Sequence, residues 1–155
     1  MKNRYFILLL CVFLYASNIV YSNEITFDSN EIEVLDNGNT IIASQGLARS
    51  LDNNIEIKAD NFNYNKNLSI IIATGNVVVK ELTNNILLRS NEIFYNIGNE
   101  KIESKSSSEI EDESGNLFLS KNFIFNLKNN LIKFNDLKFV DIQNNITKID
   151  KAFVN

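Results

Sequence analysis

An alternation of apolar and polar residues that slips phase and then resumes recurs about every thirty residues along this chain. It reads ITFDSNEIEV from Ile25 to Val34, IEIKADNFNY from Ile55 to Tyr64, ILLRSNEIFY from Ile86 to Tyr95 and NLFLSKNFIF from Asn116 to Phe125. A weaker fifth copy runs from Asn145 to Val154, so the copies start at 25, 55, 86, 116 and 145, in steps of 29 to 31. Alternation with period two is the mark of a strand with one buried face. In the second copy Ile55, Ile57 and Ala59 are odd-numbered, whereas Phe62 and Tyr64 are even. A strand cannot change phase without an extra residue. The steps Ser29-Asn30, Ala59-Asp60 and Ser90-Asn91 are therefore predicted to be bulges or corners within strands.

Each unit carries a second strand, clearest in Thr40–Leu47 and Ser69–Val79, where Ala43 matches Ala73 and Leu47 matches Val77, 30 residues apart. Turn clusters separate the strands. They are Asp36-Asn37-Gly38-Asn39, Asp52-Asn53-Asn54, Asn65-Lys66-Asn67, Thr83-Asn84-Asn85, Asn96-Ile97-Gly98-Asn99, Ser114-Gly115-Asn116, Lys128-Asn129-Asn130 and Gln143-Asn144-Asn145. Asn and Gly tolerate the positive φ of tight hairpins, and 27 of the 155 residues are Asn. Turns 13 to 18 residues apart leave no room for a crossover helix. The chain is thus predicted to be all-β and antiparallel, eight or nine strands in strand-turn units of about 15 residues, with no interdomain linker. Glu103–Gly115 (ESKSSSEIEDESG) is polar and acidic and interrupts the third unit. It is expected to be a solvated edge or loop; the alternative, a cation-binding loop, lacks the carboxylate spacing of a calcium site.

Residues 1–22 have the three parts of an export signal. Lys2 and Arg4 precede ten apolar residues, Phe6–Tyr15, and Val20-Tyr21-Ser22 offers a cleavage site before Asn23. Ten residues are too few to span a bilayer as a helix. The expected mature domain, residues 23–155, keeps 13 basic and 19 acidic residues, a net charge of −6, and loses Cys11, the single cysteine. It therefore has no disulfide despite an oxidising destination. There is no His in the chain, which removes the commonest general base and metal ligand. The negative charge argues against nucleic acid as a partner. No cofactor or metal site is expected. Carboxylates such as Asp28, Asp60 and Asp150 occupy unlike, turn-like places in the repeats, so no catalytic pair stands out and the chain is not expected to be an enzyme.

Ile55–Tyr64 followed about ten residues later by Ile72-Ala-Thr-Gly-Asn-Val-Val-Val79 resembles the OstA-like domain of lipopolysaccharide transport, and copies of this two-strand signature recur from Ile25 to Val154. The resemblance implies a twisted antiparallel β-jellyroll, V-shaped in section, whose greasy interior carries lipopolysaccharide acyl chains. It implies a module in the periplasm, at the periplasmic face of the outer membrane, meeting other Lpt jellyrolls edge to edge and the outer-membrane Lpt translocon. The closing segment Asp150–Val154 looks like the end of the jellyroll of LptD-type proteins. An N-terminal LptD-like domain is therefore expected rather than a free-standing LptA.

The residues support a two-layer structure on their own. Ile70-Ile71-Ile72 and Val77-Val78-Val79 are apolar on both faces, which a single wet-faced sheet would not hide. The aligned interior candidates are Phe27, Ile32, Val34, Ile57, Phe62, Tyr64, Leu88, Ile93, Tyr95, Leu119, Phe123 and Phe125. All but Val34 are taken as the candidate acyl-chain groove, with Phe62, Tyr64, Tyr95 and Phe125 its aromatic lining. The terminal segments, Ile25–Val34 and Ile146–Val154, are expected to be edges able to pair with another chain. Two other architectures remain open. One is a small outer-membrane β-barrel, which charges such as Lys58 and Arg89 within strands disfavour. The other is a β-solenoid of parallel coils, which the hairpin turns disfavour.

Overall fold

The computed structural model describes residues 25–154. The expected export signal and Cys11 lie outside the described residues. The strands are β1 (Ile25–Leu35), β2 (Thr40–Ser50), β3 (Ile55–Asn65), β4 (Ile70–Glu81), β5 (Ile86–Asn96), β6 (Lys101–Ser104), β7 (Ser108–Glu111), β8 (Leu117–Ser120), β9 (Asn122–Asn126), β10 (Leu131–Val140) and β11 (Ile146–Val154). Every pairing is antiparallel. Strand β6 pairs with one half of β5 and β7 with the other; β8 and β9 divide β10 in the same way. The eleven segments are thus nine passes of one meander, with starts at 25, 40, 55, 70, 86, 101, 117, 131 and 146. The thirty-residue repeat is two passes.

The turns form where Asn, Gly and Ser can take positive φ. The last residue of five of the eight turns lies there, namely Asn54, Ser69, Asn85, Glu100 and Asn130, and in two more, Gly115 and Asn144, it is the last but one. Asp112 and Asp141 cap their turns alike, each accepting hydrogen bonds from backbone N–H groups two and four residues on and from the Asn side chain at the fourth.

Each long strand is interrupted near its middle. Asn30 and Gln45 are skipped where β1 meets β2, and the register shifts beside Asp60 and again beside Gly75-Asn76. Gln45, Asn76 and Asp136 have φ of 46°, 47° and 54° at these points. The phase slips in the sequence are therefore corners. The residues on the corner pair along the fold line, Asn30 with Gln45 (3.1 Å), Asn76 with Asp60 (2.8 Å) and Lys121 with Asp136 (2.9 Å). Gly46 sits where the backbones crowd: a Cβ there would lie 2.7 Å from Ser29 Cα and closer still to Asp28 O.

The corners fold the sheet into two walls. One rung of the first wall runs Phe27, Ala48, Ile57, Val79, Leu88, Ile110, Phe118 and Phe139, each opposite the next. One rung of the second runs Val34, Ile41, Tyr64, Ile71, Tyr95, Ile102, Phe125, Ile132 and Val154. Apart from the exposed Val34 at the β1 edge, these rungs belong to one cluster of buried residues and the half-buried ones packed on it. The walls touch: Phe27 packs edge-on against Phe62 at 5.6 Å and beside Tyr64 at 6.1 Å, and Phe118 stacks on Phe134 at 5.6 Å.

Two expectations change. Glu103–Gly115 is not a solvated edge. It supplies the end of β6, all of β7 and a turn, in the middle of the sheet, with Ile102, Ser104, Ser108 and Ile110 buried on this pass. Its serines are polar because the pass breaks there: Ser90, Ser104, Ser106 and Ser108 close a hydroxyl network at the corner, with O–O distances of 2.9 to 3.0 Å. No trio of His, Cys, Asp or Glu suited to a metal occurs among the described residues. The barrel and solenoid alternatives also fall. Among the described residues β1 and β11 stand at opposite ends of the pairing path, so the sheet they form does not close, and none of its pairings is parallel.

Candidate functional site

The site to be explained is the space between the walls. Their inner faces are apolar because the alternation points one residue in two inward, and each corner resets the phase so that the same face stays inward beyond it. In β3 the buried residues are Ile55, Ile57 and Ala59 before the corner and Phe62 and Tyr64 after it.

The predicted interior residues separate into three groups. Ile57, Phe62, Tyr64, Leu88, Ile93, Tyr95, Phe123 and Phe125 are all buried, on facing walls. The interior between them is packed shut. Phe27, Ile32 and Val34 lie on β1, where no further strand covers the inner face; Phe27 is half-buried, and Ile32 and Val34 are 50% and 58% exposed. Leu119 is the exception. It pairs with Glu109 and Lys138 on the outer face, and its neighbour Phe118 takes the inner position. Residue 118 is thirty after Leu88, so the repeat spacing names the right residue once the copies are aligned by number rather than by apolarity. Ile71, Ile102, Ile110, Ile132, Phe134 and Leu137 are also buried in the interior and were legible only as apolar strand residues.

Both ends of the trough are open. At β11, Ile149 stands opposite buried Leu137 yet is 39% exposed. The walls also gape between their turns towards the β11 end, leaving a cavity of about 260 Å³. Ile86, Ile110, Phe118, Ile132 and Val154 form its floor, and Asn84 and Asp112–Ser114 its rim.

One polar element crosses the apolar interior. Tyr95, on the second wall, is fully buried and reaches the first wall. Asn53 Nδ2 donates to its hydroxyl at 2.6 Å, and the hydroxyl donates to Ser50 Oγ at 3.3 Å. Burial pushes the Tyr95 phenol above its ordinary pKa, against the opposing pull of these two hydrogen bonds. Burial raises Tyr64 as well. The buried carboxylate of Glu81 is satisfied locally, by the N–H groups of Thr83 and Asn84 at 2.8 Å and by Asn84 Nδ2 at 2.9 Å. It caps a turn.

No protein-family model matches this chain, and no curated protein matches it. Its fold does match solved structures. One is the crystal structure of LptH, the LptA-homologous periplasmic component of the lipopolysaccharide transport device of Pseudomonas aeruginosa. The two share 10% identity and a TM-score of 0.65, over 83% of this chain and 97% of that one. At that identity the likeness concerns the fold: this chain has the antiparallel β-jellyroll of an LptA-like protein.

Proposed function

We propose that this chain is a periplasmic lipopolysaccharide-binding and transfer module, holding acyl chains between its two walls. One observation carries the reading: two apolar walls face each other, joined at the corner, and their inner faces remain uncovered at both end strands. Exposed inward residues such as Ile32 and Val34 are what a continuing hydrocarbon path needs at its ends. Transfer of hydrocarbon from water contributes ~0.8 kcal/mol per methylene. Acyl chains that enter replace wall-to-wall contacts, such as Phe27 on Phe62, by contacts of the same kind, so parting the walls costs little once the chains are in. The fold likeness to LptH supports the same reading.

In this reading residues 1–22 direct export, and the domain works at the periplasmic face of the outer membrane. It does so as an LptA-like protein or as the N-terminal jellyroll of an LptD-like one. The free edges of β1 and β11 pair with neighbouring jellyrolls of the bridge and of the outer-membrane translocon. The chain acts by binding, with no catalytic step.

The test is a photocrosslinking amino acid placed in turn at Ile32, Phe62, Tyr64, Tyr95 and Phe125 in cells making lipopolysaccharide. Capture at these positions and not at the outward Asn63 and Lys66 is expected. Capture confined to the outward positions refutes the proposal.

A further inference from the structure

We propose that Tyr95 is a bolt between the walls, fastened by Ser50 and Asn53, and that the interior opens to hydrocarbon when it is released. The lipid part of this inference rests on the function proposed above; the bolt itself does not.

The geometry is specific. Tyr95 lies on the β5 half that pairs with Ile71 and Ile102, on the second wall. Ser50 pairs with Ile25 and Ile55 on the first wall, and Asn53 stands in the turn that follows. The hydrogen bonds therefore span 45 and 42 residues and connect opposite walls far from the fold line. A phenol could have been a phenylalanine here if packing alone were at stake. The residue is fully buried, and a buried polar group is favourable only with its partners in place. The partners come from the facing wall, so the bond is made only when the walls are together.

The position matters as much as the bond. On the β1 side of the bolt the inner face is exposed at Ile32 and Val34. On the β11 side lies the cavity floored by Ile86, Ile110, Phe118, Ile132 and Val154. The bolt sits between these two openings. A chain moving along the trough from one edge to the other must pass it. Such a device keeps the empty interior closed to stray apolar molecules and yields where a neighbouring lipid chain begins to wedge the walls apart.

The experiment uses the whole mature chain as wild type, Tyr95→Phe and Asn53→Ala; the second variant changes only a turn residue and leaves the packed interior intact. Spin labels at Leu51→Cys and Leu68→Cys, exposed on turns of opposite walls, report wall separation by pulsed dipolar spectroscopy without lipid. The uptake rate of N-phenyl-1-naphthylamine reports access to the interior. Both variants should show a longer, broader distance distribution and about fivefold faster uptake, the factor matching one net hydrogen bond. Gly46→Ala, destabilising at the fold line, should leave the separation unchanged, which a merely weakened fold would not. Unchanged separation and uptake in both folded variants overturn the bolt. Wider walls and faster dye uptake, with no lipopolysaccharide bound by any of the proteins, support the bolt and overturn the proposed cargo.

Discussion

Phe118 and Leu119 are adjacent, similar in hydrophobicity and opposite in role, which makes them a sharp test of the fold. Phe118 is 8% exposed, stacks on Phe134 at 5.6 Å and lies 5.1 Å from Phe139. Leu119 is half-buried on the outer face between Glu109 and Lys138. Truncating a buried Phe to Ala removes its transfer free energy and leaves a cavity, together ~3–5 kcal/mol. Two ring contacts in this range of separations place Phe118 towards the upper end of that range. Truncating Leu119 should cost under about 1 kcal/mol, since the outer neighbours and solvent close over the site. With a urea slope of ~2 kcal/mol per molar, Phe118→Ala should move the unfolding midpoint down by about 2 M and Leu119→Ala by less than about 0.5 M. Circular dichroism of the strand band follows both, as the chain has no tryptophan. An equal or larger shift at Leu119 would show that β8 is in the other register and that the rung assignment is wrong.

Other consequences follow from single residues. Gly46→Ala pushes a Cβ into the β1 backbone at Ser29 and should cost ~1–3 kcal/mol in the same assay; a neutral result would mean the corner is looser than described. Tyr95 has its pKa raised by burial, so the neutral phenol's contribution is complete below the unfolded value of about 10 and is lost as pH rises through the folded one. Stability of wild type should therefore fall more steeply above about pH 10 than that of Tyr95→Phe, measured by urea midpoints across pH; parallel curves would contradict the burial argument. Proline at Ile32 or at Glu33 removes a backbone donor, and neighbouring N–H groups on an edge strand point alternately to β2 and to the free side. One of the two variants should lose pairing with a partner jellyroll in a pull-down, and undiminished pairing in both would exclude the β1 edge.

Much of the fold could be read because period two and turn chemistry are local properties. The phase slip between Ala59 and Phe62 marked a corner, and the Asn-rich clusters marked all eight turns. What could not be read is how far the corner bends the sheet, because a bulge shows only that a residue is extra. Glu103–Gly115 misled for a related reason. Its serines look solvated, yet at a corner inside a sheet their hydroxyls bond one another and neighbouring backbone, so a polar run can be interior. Leu119 was misplaced because Leu117, Phe118 and Leu119 are all apolar and carry no alternation. The Tyr95 bridge joins residues 42 and 45 apart, a distance at which no local pattern speaks. Packing between the walls sets it.

Isoleucines populate both faces of the sheet, so a methyl spectrum of isoleucine-labelled protein titrated with lipopolysaccharide tests the trough most directly. Ile32, Ile41, Ile57, Ile71 and Ile93 face inward, whereas Ile42, Ile72 and Ile124 face outward. The inward set should shift and the outward set should stay. Shifts confined to the outward set would place the lipid on the outer surface and contradict a carrier whose cargo lies between its walls.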